Sequence, residues 1–340
     1  MAIDTAPSAV PPPSGPQAAP RVAPGGSHRW GHAGLLAPVV GPLSQRIQHE
    51  ASGSGFGRDG AFVGRQVKPV HRYTKFFSPE VRGLEHLPAT GPVLVVGNHS
   101  CLFYMPDAWV VAEAIICRRG LDQPAYALAY DLLFAIPGVG SFLRRIGAIP
   151  AAGASAEQAL AEGAALVVYP GGDMEACRPW TQRGKVDLAG RRGFIRLALR
   201  TGVPVVPVVA HGAHDAVMVV ARGDRLARVF GLKALRINVF PILLGPFGLT
   251  SILTPPPPLP SAVTVEFLPA LDWSGLPAGS EHDEAVVSAC YDEITGTMQG
   301  ALDRLRAEIP HPLATGLASL VRGGRRPGRA PEGGAAPEPA

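Results

Sequence analysis

Short, uniformly apolar runs alternate along this chain with longer stretches in which apolar residues recur every three or four positions. That alternation predicts an α/β fold, a central mixed β-sheet flanked by helices. Residues 92–97, 147–150, 165–169, 203–209 and 263–267 are the short runs, and each reads as a buried strand. Helical periodicity fills the intervals. Pro106 opens a helix running to Cys117, residues 141–146 form a short one, and Ser155 is placed to cap a third through Leu160. Residues 191–200 read as a helix closed by Gly202, and residues 283–308 as a long amphipathic one.

One stretch departs from this alternation. Residues 237–265 contain no charged side chain, and Pro241, Pro246 and the four prolines 255–258 exclude a continuous helix. Two readings stay open, a buried strand followed by an apolar loop, or a patch resting in a membrane interface without crossing it. A second apolar segment, residues 30–47, is broken by Pro38 and Pro42 and reads as a short amphipathic piece.

Composition sets the boundaries. The chain has 340 residues with 41 glycines and 36 prolines, and seven prolines fall in residues 1–30 and six in residues 310–340. Residues 1–65 are therefore expected to be mostly disordered, 66–309 to form the domain, and 310–340 to be a disordered basic tail. The formal net charge of +4 belongs to the ends, since residues 66–309 hold 22 basic and 22 acidic side chains. A neutral folded part argues against a nucleic-acid partner. Four scattered cysteines without a CxxC pair give neither a disulfide framework nor a zinc site, and fit a reducing, cytosolic setting. The first residues lack a basic start followed by an apolar core, and no run of 18 apolar residues exists, so neither a signal peptide nor a spanning helix is expected.

Candidate chemistry collects where strands end. Asn98-His99-Ser100 follows the first strand, and Asp107 lies in the first turn of the next helix. A strand-end histidine with a carboxylate folded back on it is the base-and-orienter pair that takes a proton from an attacking hydroxyl. A helix-capping aspartate beside an ordinary buried histidine fits the same residues. After the third strand comes a loop with Gly171, Gly172, Glu175 and Arg178. Adjacent glycines let a ligand approach the backbone and present N–H groups to an oxyanion, while a simple turn with a surface ion pair is the alternative. His211 and His214 match half of a zinc site, but no third or fourth ligand is evident, and no metal is expected. Nothing in the sequence lowers the Cys101 pKa, and no GxSxG elbow is present.

In order, Asn98-His99 with Asp107, residues 147–150, Tyr169-Pro170-Gly171-Gly172, and residues 203–207 resemble the four sequence blocks of glycerolipid acyltransferases. The resemblance covers about residues 80–270, and residues 170–176 are similar to the diacylglycerol acyltransferase-related branch. It implies a glycerol-3-phosphate acyltransferase-like fold and an O-acyltransferase, with acyl-CoA as co-substrate, a lipid hydroxyl as acceptor and no cofactor. It further implies His99 as general base, Asp107 as its orienter, and Glu175 positioning substrate or His99. Gly171 and Gly172 would line the site near the oxyanion, and Arg178 would bind phosphates of CoA or of a headgroup. A peripheral place on the cytoplasmic side of a membrane follows from such substrates. Three departures are specific to this chain. Seven residues separate His99 from Asp107 where the family has four, Gly171 replaces a glutamate, and residues 151–155 lack the usual arginine. Missing cations favour a neutral acceptor, mono- or diacylglycerol or another long-chain alcohol, over lysophosphatidate. The remaining alternative is a non-catalytic lipid-binding relative.

Overall fold

Val93, Leu94, Val95 and Val96 are all fully buried, although successive strand residues face opposite ways. Only a strand covered on both faces can satisfy that pattern. The structure, a computed structural model, describes residues 56–232, 237–323 and 326. In chain order its strands are β1 (Glu80–Arg82), β2 (Val93–Gly97), β3 (Ala125–Ala129), β4 (Ala148–Pro150), β5 (Ala165–Val168), β6 (Val205–His211), β7 (Met218–Ala221), β8 (Ile242–Gly245), β9 (Gly248–Ser251) and β10 (Thr264–Phe267). Seven of them make a mixed sheet in the order β1-β10-β6-β2-β5-β3-β4, and β7, β8 and β9 make a separate antiparallel one. β2 lies at the centre, parallel to β5 on one side and to β6 on the other. Leu94 and Val96 enter one hydrophobic cluster while Val93 and Val95 enter the other, so the sheet divides the core into two layers.

The α-helices are α1 (Gly60–Lys75), α2 (Pro106–Arg119), α3 (Val139–Ile146), α4 (Gly153–Ala161), α5 (Gly172–Ala176), α6 (Gly193–Thr201), α7 (Asp224–Val229), α8 (Glu284–Glu308) and α9 (Pro312–Val321). Several ends follow the sequence signals. Pro106 starts α2, Gly202 closes α6 in the left-handed conformation, and the Asp283 side chain accepts from Ala285 N and Val286 N at the start of α8. α4 differs, because it begins at Gly153 after an extended Ala152, and Ser155 is buried inside it rather than capping it. No side chain caps that end.

Helical structure extends past both expected boundaries. Residues 60–65 belong to α1, capped by Asp59, so ordered structure begins before residue 66. The region read as a tail from residue 310 contains α9, where Pro312 occupies a first-turn position at which its missing N–H costs nothing. α9 then packs closely because a Cβ at Gly316 would overlap Pro260 O, and Ala262 N donates to Pro312 O at 2.9 Å. Proline and glycine content read as disorder is here the means of a tight helix contact. The apolar segment 30–47 and residues 1–55 generally lie outside the described residues.

The uncharged stretch from 237 to 265 forms a hairpin. β8 and β9 pair through Gly245 and Gly248, with Pro246 and Phe247 at the turn. One side is anchored, as Leu243 packs with Val217, Val219 and Cys101. The other side is open. Phe247 is 92% exposed and Leu249 69%. Among the described residues no helix is long and apolar enough to cross a membrane.

Candidate active site

The parallel register of β5, β2 and β6 brings three carboxyl-terminal strand ends together, where open α/β sheets place their ligand sites. Gly97 ends β2, and a Cβ there would lie 2.5 Å from Cε1 of Tyr169. Glycine thus admits the Tyr169 ring, which tilts over His99 with centroids 4.8 Å apart. Asn98 ties the strand ends together. Its Oδ1 accepts from Ala210 N at 2.7 Å and its Nδ2 donates to Ala210 O at 3.0 Å.

His99 follows, only 8% exposed. Its Nδ1 lies 3.0 Å from Asp107 Oδ2, which also accepts from Ser100 N at 2.8 Å. With Nδ1–H donating to the carboxylate, Nε2 holds the lone pair that a general base needs. The seven-residue interval is accommodated by the loop, not by loss of the pair. Met105 adopts a left-handed conformation, φ 45°, just before α2, and this turn sends fully buried Asp107 back toward His99. A non-glycine residue held there stores strain of the kind found at functional sites. Burial, the largest influence on the ring, opposes its charge, but Asp107 and Glu175 outweigh it and raise the His99 pKa above 6.5.

Glu175, in α5, is also fully buried. Its Oε2 accepts from His99 N at 2.8 Å and its Oε1 from Asp187 N at 3.1 Å. It therefore holds the backbone that carries His99. Burial pushes its carboxyl above the usual range, against the charge of Arg178, whose Nη1 lies 3.0 Å from Oε1. Arg178 is 2% exposed and faces inward beside Glu175. Gly171 and Gly172 also have structural work. Gly172 N already donates to Tyr169 O at 3.1 Å, and a Cβ on Gly171 would overlap Glu175 and Asp187 O. We expect Gly171→Ala to destabilise the fold by about 1–3 kcal/mol, read as a lowered Tm, and to reduce activity by displacing Glu175.

The structure brings His99, Asp107, Glu175, Gly171, Gly172 and Arg178 into one neighbourhood. Beside them lie Asn98 and Tyr169 from the same motifs, His214 from the second histidine pair, and Asp187, which no motif marked. His211 is engaged elsewhere, its Nε2 2.9 Å from Ile309 O. Among the described residues no group of three or more His, Cys, Asp or Glu side chains is arranged to hold a metal ion. Cys101 is buried, and burial pushes its thiol up to about 11, which leaves no thiolate near neutral pH.

The acyltransferase family model matches residues 78–211, which span the strand ends and the loops just described. An uncharacterized protein of Mycobacterium tuberculosis is 31% identical over 277 residues, covering 81% of this chain and 75% of that protein. The chain belongs to the acyltransferase family. A human protein named a DGAT1/2-independent enzyme synthesizing storage lipids is 27% identical to this acyltransferase over 190 residues, 56% of each chain. The crystal structure of the 1-acyl-sn-glycerophosphate acyltransferase PlsC from Thermotoga maritima matches with a TM-score of 0.42 and 20% identity, over 80% of this chain and 94% of that one. Membership of that family makes the protein an acyltransferase.

Proposed function

We propose that this acyltransferase moves a fatty acyl group from acyl-CoA to a neutral lipid hydroxyl, with His99 as general base. The observation that carries the mechanism is the buried His99 Nδ1–Asp107 Oδ2 contact of 3.0 Å. His99 Nε2 takes the proton of the acceptor hydroxyl, and Asp107 stabilises the imidazolium. The alkoxide oxygen attacks the thioester carbon directly. Collapse of the tetrahedral intermediate breaks the C–S bond, and the departing thiolate takes the proton from His99. No covalent enzyme intermediate and no cofactor are needed.

The neutral acceptor rests on where the arginines are. A phosphate-bearing acceptor needs cations free to meet its headgroup. Arg178 is buried against Glu175, and Arg191 donates to Pro170 O and pairs with Asp173. Arg192, just before α6, and Arg196, on it, both pair with Glu284. Arg191, Arg192 and Arg196 are thus already paired with carboxylates. A relative named for storage-lipid synthesis supports the same choice.

Such acceptors reside in membranes, and we place the enzyme peripherally on a cytoplasmic membrane face through the β8–β9 hairpin. Its inner side packs on Cys101 with Phe103 and Tyr104, and Tyr104 Oη donates to Pro256 O at 2.9 Å. The apolar projection is therefore joined to the loop between His99 and Asp107. Docking through Phe247 holds the site at the lipid surface.

The deciding experiment offers labelled palmitoyl-CoA with monoacylglycerol, diacylglycerol, a long-chain alcohol and lysophosphatidate at equal surface concentration. Faster transfer to the neutral acceptors is expected. Preferential acylation of lysophosphatidate overturns the acceptor, and absence of transfer to every acceptor overturns the acyl-CoA reaction.

A further inference from the structure

His214 is the part of the second histidine motif that no role yet explains. It lies in the turn after β6, is 3% exposed, and neither ring nitrogen has a hydrogen-bond partner. Arg178 is in the same condition. Its pairing with Glu175 is electrostatic and off the hydrogen-bond line, and Nε, Nη1 and Nη2 all lack hydrogen-bond partners. The oversight is local. Among the described residues, seven of the thirteen buried side-chain atoms without a partner belong to Asp107, Tyr169, Arg178 and His214. Each such atom bears the desolvation cost of a hydrogen bond left unmade, and more when the group is charged. Scattered orphans are ordinary, but a cluster around a catalytic base marks a place that a polar ligand atom completes.

We propose that Arg178 and His214 form the subsite for the acyl carbonyl oxygen, a side-chain oxyanion hole for this acyl transfer. The inference rests on the general-base reading of His99 and extends it to the atom on which negative charge develops. When the acceptor oxygen bonds to the thioester carbon, the carbonyl π pair moves onto that oxygen. The acceptor proton passes to His99, so the oxyanion and the imidazolium form together. Arg178 supplies a fixed positive charge and N–H donors. His214 supplies one N–H, because a neutral imidazole donates from one nitrogen. Collapse returns the electron pair, expels the thiolate, and frees both donors.

The environment keeps the two groups in these states. Burial above all, then the charges of Arg178, His99 and Arg183, hold the His214 pKa well below 6.5, so the ring is neutral where the reaction runs. Asp215, its chain neighbour, is occupied by Trp180 Nε1 at 3.0 Å and by Arg183. The backbone has no equivalent to offer at Gly172, whose N–H is spent on Tyr169 O. Side-chain donors in a dry site need little reorganisation as charge forms, which is where such donors are worth most.

His214→Leu and His214→Gln test the proposal in the full-length protein. Leucine removes the N–H while filling similar space, and glutamine restores a donor. His214→Leu is expected to lower kcat by roughly 100-fold, leave the KM for acyl-CoA within a few-fold, and leave Tm unchanged or higher. A raised Tm is the sign that separates function from structure, because an apolar side chain relieves buried orphan atoms. His214→Gln is expected to recover at least about a tenth of the wild-type kcat. Equal losses in both variants, a kcat within about three-fold of wild type for His214→Leu, or loss of activity tracking a fall in Tm overturns it. Should His214→Leu fail to accumulate, His214→Ala decides: reduced kcat at wild-type Tm supports the subsite, and unchanged kcat overturns it. A wild type that needs His99 but not His214 overturns this inference alone. A wild type that transfers to no acceptor overturns the function on which it rests.

Discussion

Replacing His99 with alanine is expected to lower acyl transfer by roughly 100-fold or more while the protein stays folded, the contribution usual for a positioned general base. His99 packs where three strand ends meet, yet its main-chain N–H bond to Glu175 and the Asn98 bonds to Ala210 survive the substitution. Tm within a few degrees of wild type, alongside that loss, is the expected pairing. Activity within a few-fold of wild type in the folded variant rules out His99 as the base. Asp107→Asn is expected to act in the same direction and less severely, because the amide still orients the ring but no longer stabilises its charge.

The pH dependence follows with a definite sign. The base must be neutral to accept a proton, and Asp107 with Glu175 raises the His99 pKa above 6.5 despite its burial. Activity is therefore expected to rise with pH along a limb whose midpoint lies above that value. In Asp107→Asn one of the raising charges is gone, and the limb is expected to move down. A limb that does not move separates Asp107 from the titrating group.

Much of this site was legible because its residues sit in short motifs at strand ends, where local sequence decides what faces the pocket. His99, Glu175 and the glycine pair are of that kind. The function of each glycine was not legible. Gly171 and Gly172 read as donors to an oxyanion, but the demand on Gly171 comes from Glu175 and Asp187 O pressing on its Cα, a contact made only in the fold. Arg178 read as a phosphate-binding cation, and nothing in its neighbours forecasts 2% exposure. The sheet shows a parallel limit. β2, β5 and β6 announce themselves as apolar runs, whereas β3 (Ala-Tyr-Ala-Leu-Ala) is weakly β-forming and is fixed by pairing with β4 and β5. His214 needed the fold most of all. Its meaning lies in having no partner, a property that no sequence pattern encodes.

The hairpin carries the second large expectation. In Phe247→Asp/Leu249→Asp, the protein is expected to leave vesicles of neutral and anionic lipids, with an apparent affinity loss of roughly 100-fold or more. Burying a phenylalanine and a leucine fully is worth about 1.5–3 kcal/mol each, so even partial insertion of both accounts for that factor. Exposure of 92% and 69% means that neither side chain supports the core, and Tm is expected to stay near wild type. Salt is expected to leave the wild-type protein bound, because apolar burial is not screened. Transfer to an acceptor dispersed as detergent monomers is expected to persist in the double variant while transfer to vesicle-borne acceptor falls. That division assigns the hairpin to delivery and the strand ends to chemistry. Continued sedimentation of the double variant with vesicles removes the hairpin from membrane docking, and a matching fall in both rates assigns it instead to holding the loop between His99 and Asp107.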